Sequence, residues 1–436
     1  MIAVSAHLTA LLIFLLTFAT YASYATSEVN NAQHVTRLAL ALAILEEGRV
    51  DIDRFADMTI DKAEYGGHTY ADKPPGLSLL VIPSVAVTRE LLTLWRQVAN
   101  PARRLDLYIR IATTSTVCLF GALAVALVYI VALRLGSSEA GALIAALGLG
   151  FGTIHFGWST LLFAHAVSGG LLMIGLALIL VRRNLLAGLA LGFCLVVDLT
   201  AAPAVIAIGL LSLAFGGWRG TGWLAVGGLV GMTPLLVYNA LAFGSPFKIG
   251  YSEVVGFEGM RTGFLGLGAP NFTVLYEILL GSYRGLLPLS PILVLVPIGL
   301  LLIPDRRVAI VIAAVVASFL YINMSYFYWH GGVSTGPRHI VAMLPIAALA
   351  LAFAWPRTTW AKALVLLVLG ASIALSLIAV SSTMLAGEQW PSPMYQVMIP
   401  MILGGGHVAM IPGLVGIVLF VWLIVTRLRQ PRSATS

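Results

Sequence analysis

Residues 109–133 read IRIATTSTVCLFGALAVALVYIVAL, 25 positions in which Arg110 is the sole charge. A hydrocarbon layer about 30 Å thick is crossed by roughly 20 apolar residues in a helix. This stretch is therefore long enough to span a bilayer and too apolar to face water. Comparable runs lie on both sides of it, at Leu8–Tyr24, Gly76–Trp95, Ala140–Phe156, Trp158–Val181, Leu185–Phe215 and Trp223–Phe243. The series continues through Leu286–Ile303, Val308–Tyr328, His339–Trp355, Ala361–Leu385 and Val408–Val425. Leu185–Phe215 is too long for one untilted span and contains Pro203, so it reads as two segments or as one broken helix. The sequence thus predicts about 11–13 spans.

Whole-chain composition points the same way. Of 436 residues, 59% are hydrophobic and 10% charged, with a mean hydropathy of +0.97. A soluble domain carries roughly 45–50% apolar and about 25% charged residues, so a soluble globular protein is excluded, as are disorder, collagen and a disulfide scaffold. A transmembrane β-barrel alternates over strands of about 10 residues, which the continuous apolar runs do not do. The expected fold class is an all-α polytopic membrane protein, with residues 1–436 forming one integral-membrane domain. No internal repeat of fixed period is visible. The first run has no basic residue before it and reads as an uncleaved span.

The formal charge of +7 is no nucleic-acid signal, and no nucleic-acid partner is expected. Its arginines cluster in short loops: Arg103/Arg104, Arg182/Arg183, Arg306/Arg307, and Arg427, Arg429 and Arg432. Such clusters are the signature of cytoplasmic loops facing anionic membrane lipids, and the last of them argues for a cytoplasmic C-terminus. Cys118 and Cys194 sit inside apolar runs and read as small buried hydrophobes.

One polar island dominates. Eleven of the 18 acidic residues fall between positions 25 and 110, most of them in the first loop, residues 25–75. A polar connection of that length is usually functional. Its first half reads as a helix capped by Asn30 or Asn31, with Val35, Leu38, Leu42 and Leu45 at helical spacing and Gly48 as the stop. With His34 and Arg37 on its polar side, that helix would lie along the membrane surface. The second half, Gly66 to Gly76, is a turn-rich approach to the next span in which Pro74 and Pro75 hold Asp72 and Lys73 at the interface. Two smaller polar loops occupy residues 244–272 and 329–338.

These groups suit transfer from a lipid-phosphate donor. A carboxylate within hydrogen-bond reach takes the proton of an acceptor hydroxyl, and Glu28, Asp61 and Asp72 are the candidates. Cations stabilise charge on a departing phosphate; Arg37, Lys73, Arg284 and Arg338 are the candidates, Arg338 following a Gly-rich turn. Tyr70, His165, Trp329 and His339 are candidate substrate contacts. Blander readings exist for each. Asp51, Asp53, Asp57 and Glu64 can simply be solvated, and Asp61-Lys62 and Asp72-Lys73 can be local ion pairs of little stability. His155, His165 and Asp198 lie in apolar runs, where an ionisable group is a functional candidate but a histidine can also just bond a carbonyl. Tyr326 to Trp329 fit an interfacial belt or a sugar-stacking surface. No metal-ligand spacing occurs; a divalent ion would be held only through the carboxylates.

Tyr70-Ala71-Asp72-Lys73-Pro74-Pro75-Gly76, entering a span after a long first loop, resembles the Lys-Pro-Pro segment of GT-C glycosyltransferases. It is most similar to the branch of protein O-mannosyltransferases, aminoarabinose transferases and RgtA/B/C/D-like proteins (glycosyltransferase family 39 and relatives). Gly150-Phe151-Gly152-Thr153, the stretch from Asn239 to Phe247 and Gly331 to His339 agree with bacterial members. The resemblance implies a GT-C-type bundle and inverting transfer of a sugar from a polyprenyl-phosphate donor to a lipid, glycan or protein acceptor. It implies a bacterial inner-membrane location with the site facing the periplasm or exterior. The family's first loop carries the catalytic acid, often in an Asp-Glu pair after the first span; here that position reads Ser27-Glu28, keeping Glu28 and lacking the Asp. Asp61 and Asp72 therefore compete with it, and Lys73 is the family-matched residue near the donor phosphate. The chain ends after its last span without the soluble C-terminal domain of some relatives, which leaves acceptor recognition to loops.

Two other classes remain open to test. A transporter or lipid-linked-sugar flippase would favour internal repeats and helices broken at the midplane, and the Pro203 segment is its best feature. A non-catalytic subunit predicts that the acidic and basic loop residues do not converge. A glycosyltransferase predicts that Glu28, Asp61, Asp72, Lys73 and Arg338 line one cavity.

Overall fold

The computed structural model describes residues 4–29, 31–95 and 100–429; Asn30 and Arg432 fall outside them. Among the described residues seven helices are long and apolar enough to cross a membrane, and six shorter apolar helices of 10–17 residues accompany them. The opening stretch lies in one helical run, Arg103–Arg134, widened by a π-turn at Thr114–Cys118. Both cysteines are buried and unpaired.

Leu185–Phe215 resolves into two segments. Asn184–Val197 stops at Asp198, whose extended backbone (φ −154°, ψ 105°) ends the helix, and a new helix restarts with Pro203 in its first turn, where a missing N–H costs nothing. That second helix, Ala202–Phe243, breaks at Gly217 (φ 60°, ψ −170°). Gly209 lies against Leu224, 15 residues that a straight helix would separate by about 22 Å, so the two halves fold back as a hairpin.

Three arginine clusters share one end of the bundle. Arg134 donates to the Leu180 carbonyl (3.1 Å), Arg427 joins Glu139 (2.6 Å) and Ser5 (2.8 Å), and Arg307 stacks on Phe215 (4.9 Å). Asn184 packs against Gly216 and links the last pair to Arg183. Arg103/Arg104 depart from that pattern. Their helix, Pro101–Thr113, sets Leu105 and Ile109 against Val35, Leu38 and Leu42, which places the pair at the level of the first loop, away from the other clusters.

Within the first loop, α1 (Val4–Ser23) is followed by α2 (Ala32–Glu47), capped by the Asn31 side chain on the Gln33 N–H and ended by Gly48 at φ 66°. The expected cap and stop are both present. The helix does not lie with a polar side exposed: His34 through Ala43 are all buried. Neither His34 nor Arg37 lies on an exposed surface, because the helix is wedged among packed elements. His34 Nδ1 donates to the Glu28 carbonyl (2.9 Å), and burial pulls its pKa down to about 4, which keeps it neutral.

The second half of the loop forms a hairpin, β1 (Lys62–Tyr65) and β2 (His68–Ala71), before α3 (Gly76–Trp95) begins. Lys62 pairs with Ala71 and Tyr65 with His68. The two-residue turn, Gly66-Gly67, has φ of 60° and 82°, the positive values a tight two-residue hairpin requires. The 244–272 loop bonds to this hairpin through Val255 N to Lys62 O (3.1 Å) and to the 325–327 segment through Gly268 N to Ser325 O (2.8 Å) and Phe327 N to Gly266 O (3.0 Å). The polar islands therefore form a single cap.

Candidate active site

Beneath that cap lies a cavity of about 460 Å³. Asp61, Asp72, Lys73, Arg37 and Arg338 all line it, as do His165, Asp198 and His339. The hairpin explains the first group. Pairing of Lys62 with Ala71 sets the next residues outward, Asp61 and Asp72, opposite each other at its open end. Lys73 then reaches both, bonding Asp72 Oδ2 and standing 4.0 Å from Asp61 Oδ2. Lys62 does not pair with Asp61; it donates to the Ala56 carbonyl (3.1 Å). The local Asp72-Lys73 pair is therefore present, the Asp61-Lys62 pair is not, and Lys73 also reaches across the hairpin end to Asp61.

The backbone beneath these residues is held tightly. Tyr238 donates to the Ala71 carbonyl (3.1 Å). A Cβ at Gly76 would come within 2.6 Å of the Val196 backbone, so glycine lets the Lys-Pro-Pro segment dock beside the Asp198 break. Burial pushes the Asp72 carboxyl above the ordinary carboxylate range; Lys73 opposes that rise and Asp61 adds to it. The second oxygen of Asp72 is buried without a hydrogen-bond partner.

The guanidiniums come from distant stretches. Arg37 donates to the Gln33 carbonyl (2.8 Å) and side chain (2.5 Å), and Arg338 follows the 331–336 turn. Both lie over the ring of Phe163, at 5.8 and 5.3 Å, and each keeps an unpartnered buried Nε. Gly331 sits at φ 71°, and a Cβ there would meet Arg338 Nε at 2.6 Å. Two cations gathered on one ring, with donors unspent, form a place for an anion.

Other candidates fall elsewhere. Glu28 is exposed and does not line the cavity. Arg284 is fully buried outside it, donating to the Gly332 carbonyl (2.8 Å) and stacked on Tyr283; it braces the turn that carries Arg338. Tyr70 packs on Phe243 (5.3 Å), and Trp329 packs on Tyr283 (6.2 Å); neither lines the cavity. His155 bonds the Gly121 carbonyl (3.1 Å), the ordinary role of a core histidine. Among the described residues one group has metal-ligand spacing, Asp51, Asp53 and His68, with ligand atoms within 4.8 Å; it too is outside the cavity lining. Tyr251, Gln33 and Thr200 line the cavity without having been singled out. Only the polar character of their loops and breaks hinted at them.

Apolar residues, among them Leu199, Ala202, Pro203, Phe264, Leu265 and Ile322, share the lining with Asn323, Tyr321, Tyr326 and Tyr328. A chamber lined by both charged and apolar side chains suits a ligand with a charged head and a hydrocarbon tail.

No family model matches the chain, and no curated protein matches it in sequence. Among solved structures it is similar to ArnT from Cupriavidus metallidurans in the apo state, with a TM-score of 0.55, 15% identity and coverage of 96% of this chain and 75% of that chain. It is likewise similar to the same protein bound to undecaprenyl phosphate, with a TM-score of 0.54, 14% identity and coverage of 96% and 77%. At such identity the likeness is one of fold: this chain has the polytopic helical membrane fold of ArnT.

Proposed function

We propose that the protein transfers a sugar from a polyprenyl-phosphate-linked donor to a hydroxyl of a lipid, glycan or protein acceptor. The observation that supports this reading is a shared cavity in which two first-loop carboxylates and three cations meet apolar side chains. The undecaprenyl phosphate held by the ArnT structure adds to it. In the reading, the donor phosphate rests between Lys73, Arg37 and Arg338, and its isoprenoid leaves past Pro203 and Ile322. Asp61, or Asp72 through its unpartnered oxygen, takes the proton as the acceptor oxygen bonds to the anomeric carbon. The bond from that carbon to the phosphate oxygen breaks with its electron pair, and configuration inverts in the single displacement. The cations stabilise the phosphate as its charge builds. Asp61 and Asp72 are preferred to Glu28 as the base in this reading, because Glu28 is exposed and outside the cavity lining. A site facing the periplasm or exterior of a bacterial inner membrane fits the gathering of three arginine clusters at the other end.

The test is transfer by purified protein given a panel of polyprenyl-phosphate sugars. Asp61→Asn or Asp72→Asn is expected to abolish product while membrane insertion is unchanged. Full activity of Glu28→Gln, Asp61→Asn and Asp72→Asn alike would overturn the first-loop mechanism. Movement of a lipid-linked sugar across vesicles with no covalent product would favour the flippase reading.

A further inference from the structure

The wall that carries Asp198 has no part in the mechanism above, yet it is built of polar groups. Asp198 sits at the helix break with Oδ1 accepting from the Thr200 N–H (3.0 Å) and hydroxyl (2.6 Å). Its Oδ2 is buried with no hydrogen-bond partner. His165 Nδ1 stands 3.7 Å from that oxygen, beyond direct bonding reach, and is also unpartnered, as is Nε2 of His339. The two imidazoles are edge to face at 5.9 Å. His165 cannot swing freely, since Phe163 stacks on it (6.2 Å) and Trp158 closes its edge (6.1 Å). All three residues line the cavity.

Buried polar atoms left unpaired are costly, and native structures pair nearly all of them. Three such atoms in one wall mark a place where a ligand supplies the partners. A carboxylate oxygen only accepts and a protonated imidazole nitrogen only donates, so a group that bridges them must do both. A hydroxyl does. A phosphate only accepts and would be repelled by Asp198; an isoprenoid offers neither function.

We propose that Asp198, His165 and His339 recognise ring hydroxyls of the transferred sugar. One hydroxyl donates to Asp198 Oδ2 and accepts from His165 Nδ1, and a neighbouring one engages His339 Nε2. The inference rests on the polyprenyl-phosphate reading and adds to it a sugar-selecting wall in the same cavity as Lys73. Docking of Gly76 on the Val196 backbone keeps the two walls within one chamber, as a sugar bonded directly to its phosphate requires.

The experiment measures binding of two probes to the full chain in lipid nanodiscs: bare polyprenyl phosphate and the same lipid carrying the sugar that supports transfer. Wild type is expected to prefer the glycosylated lipid. Asp198→Asn keeps the Thr200 contacts through Oδ1 and is expected to bind bare lipid within twofold of wild type and glycosylated lipid at least tenfold more weakly. His165→Gln, with the break itself untouched, is expected to show the same loss of preference and stands in if Asp198→Asn does not fold. Equal weakening of both lipids, or an intact preference in both variants, overturns the sugar wall alone. Failure of wild type to bind either lipid overturns the polyprenyl-phosphate reading and the proposal with it.

Discussion

The first-loop hairpin carries two acidic clusters, one on each side, and they differ in kind. Asp53, near its outer end, is fully engaged: His68 Nδ1 bonds Oδ2 (2.7 Å), the Thr69 N–H bonds Oδ1 (2.6 Å), and Arg49 is 3.7 Å away. Its side chain is 40% exposed. Asp61 and Asp72, at the open end, are 8% and 1% exposed and share one lysine, with an Asp72 oxygen left unbonded. Similar residues, Asp61 only 8 and Asp72 19 positions after Asp53, thus form a solvated local network and a desolvated one. What separates them is what covers each: water in the first case, the 244–272 loop and the Asp198 break in the second.

The hardest test of that contrast compares Asp72→Asn with Asp53→Asn. Loss of a positioned base is expected to lower transfer by about 10²–10⁴-fold, while Asp53→Asn leaves the rate within about twofold; equal losses would erase the distinction. Arg338→Met and Arg284→Met extend it to cations. Arg338→Met should raise the donor KM by roughly 10–100-fold, the value of a charge-assisted hydrogen bond, with an unaltered melting temperature. Arg284→Met should instead destabilise the protein by about 2–4 kcal/mol, because the buried Gly332 carbonyl loses its donor; thermal unfolding in detergent separates the two.

The pH profile sharpens the choice within the buried cluster. Burial raises the Asp72 carboxyl, and a base works only when ionised. If Asp72 is the base, activity therefore falls on acidification at a pH above the ordinary carboxylate range. An acid limb within that range would take the role away from Asp72. The outer cluster has the opposite sign. Partial desolvation raises the Asp53 carboxyl, but the His68 and Thr69 bonds together outweigh it and leave it lowered. Its contribution is present above the unfolded carboxyl pKa and is lost as pH falls through the folded value. The melting temperature of wild type should then drop more steeply in acid than that of His68→Ala. The smallest expected effect is Asn31→Ala, about 1 kcal/mol from the lost α2 cap, with no change in transfer.

Much of the local structure was legible because it depends on neighbours in the chain. The Asn31 cap, the Gly48 stop and the break before Pro203 follow from backbone chemistry within a turn or two. The hairpin was not legible: Gly66 to Gly76 reads as a turn-rich approach to a span, since His68-Thr69-Tyr70-Ala71 shows no polar-apolar alternation. The polar side assigned to α2 was misplaced, because a loop helix with polar residues is expected at a surface. Only its neighbours show that His34 and Arg37 are enclosed. Arg284 and Arg338 illustrate the limit best. Both are single arginines beside polar loops, and no local feature distinguishes a brace from a cation facing a cavity.

Amphipathic and apolar periodicity, with caps and breakers, settles membrane class, helix positions and most ends, since a bilayer rewards continuous apolar runs wherever they occur in a chain. Which charges meet is a matter of long-range packing. Asp61, Arg37, Asp198 and Arg338 are brought together by a hairpin register, a glycine with no room for a Cβ at position 76 and a helix that stops at Asp198. Contacts between residues more than a hundred positions apart depend on how whole helices pack, and that information is not carried by any one segment.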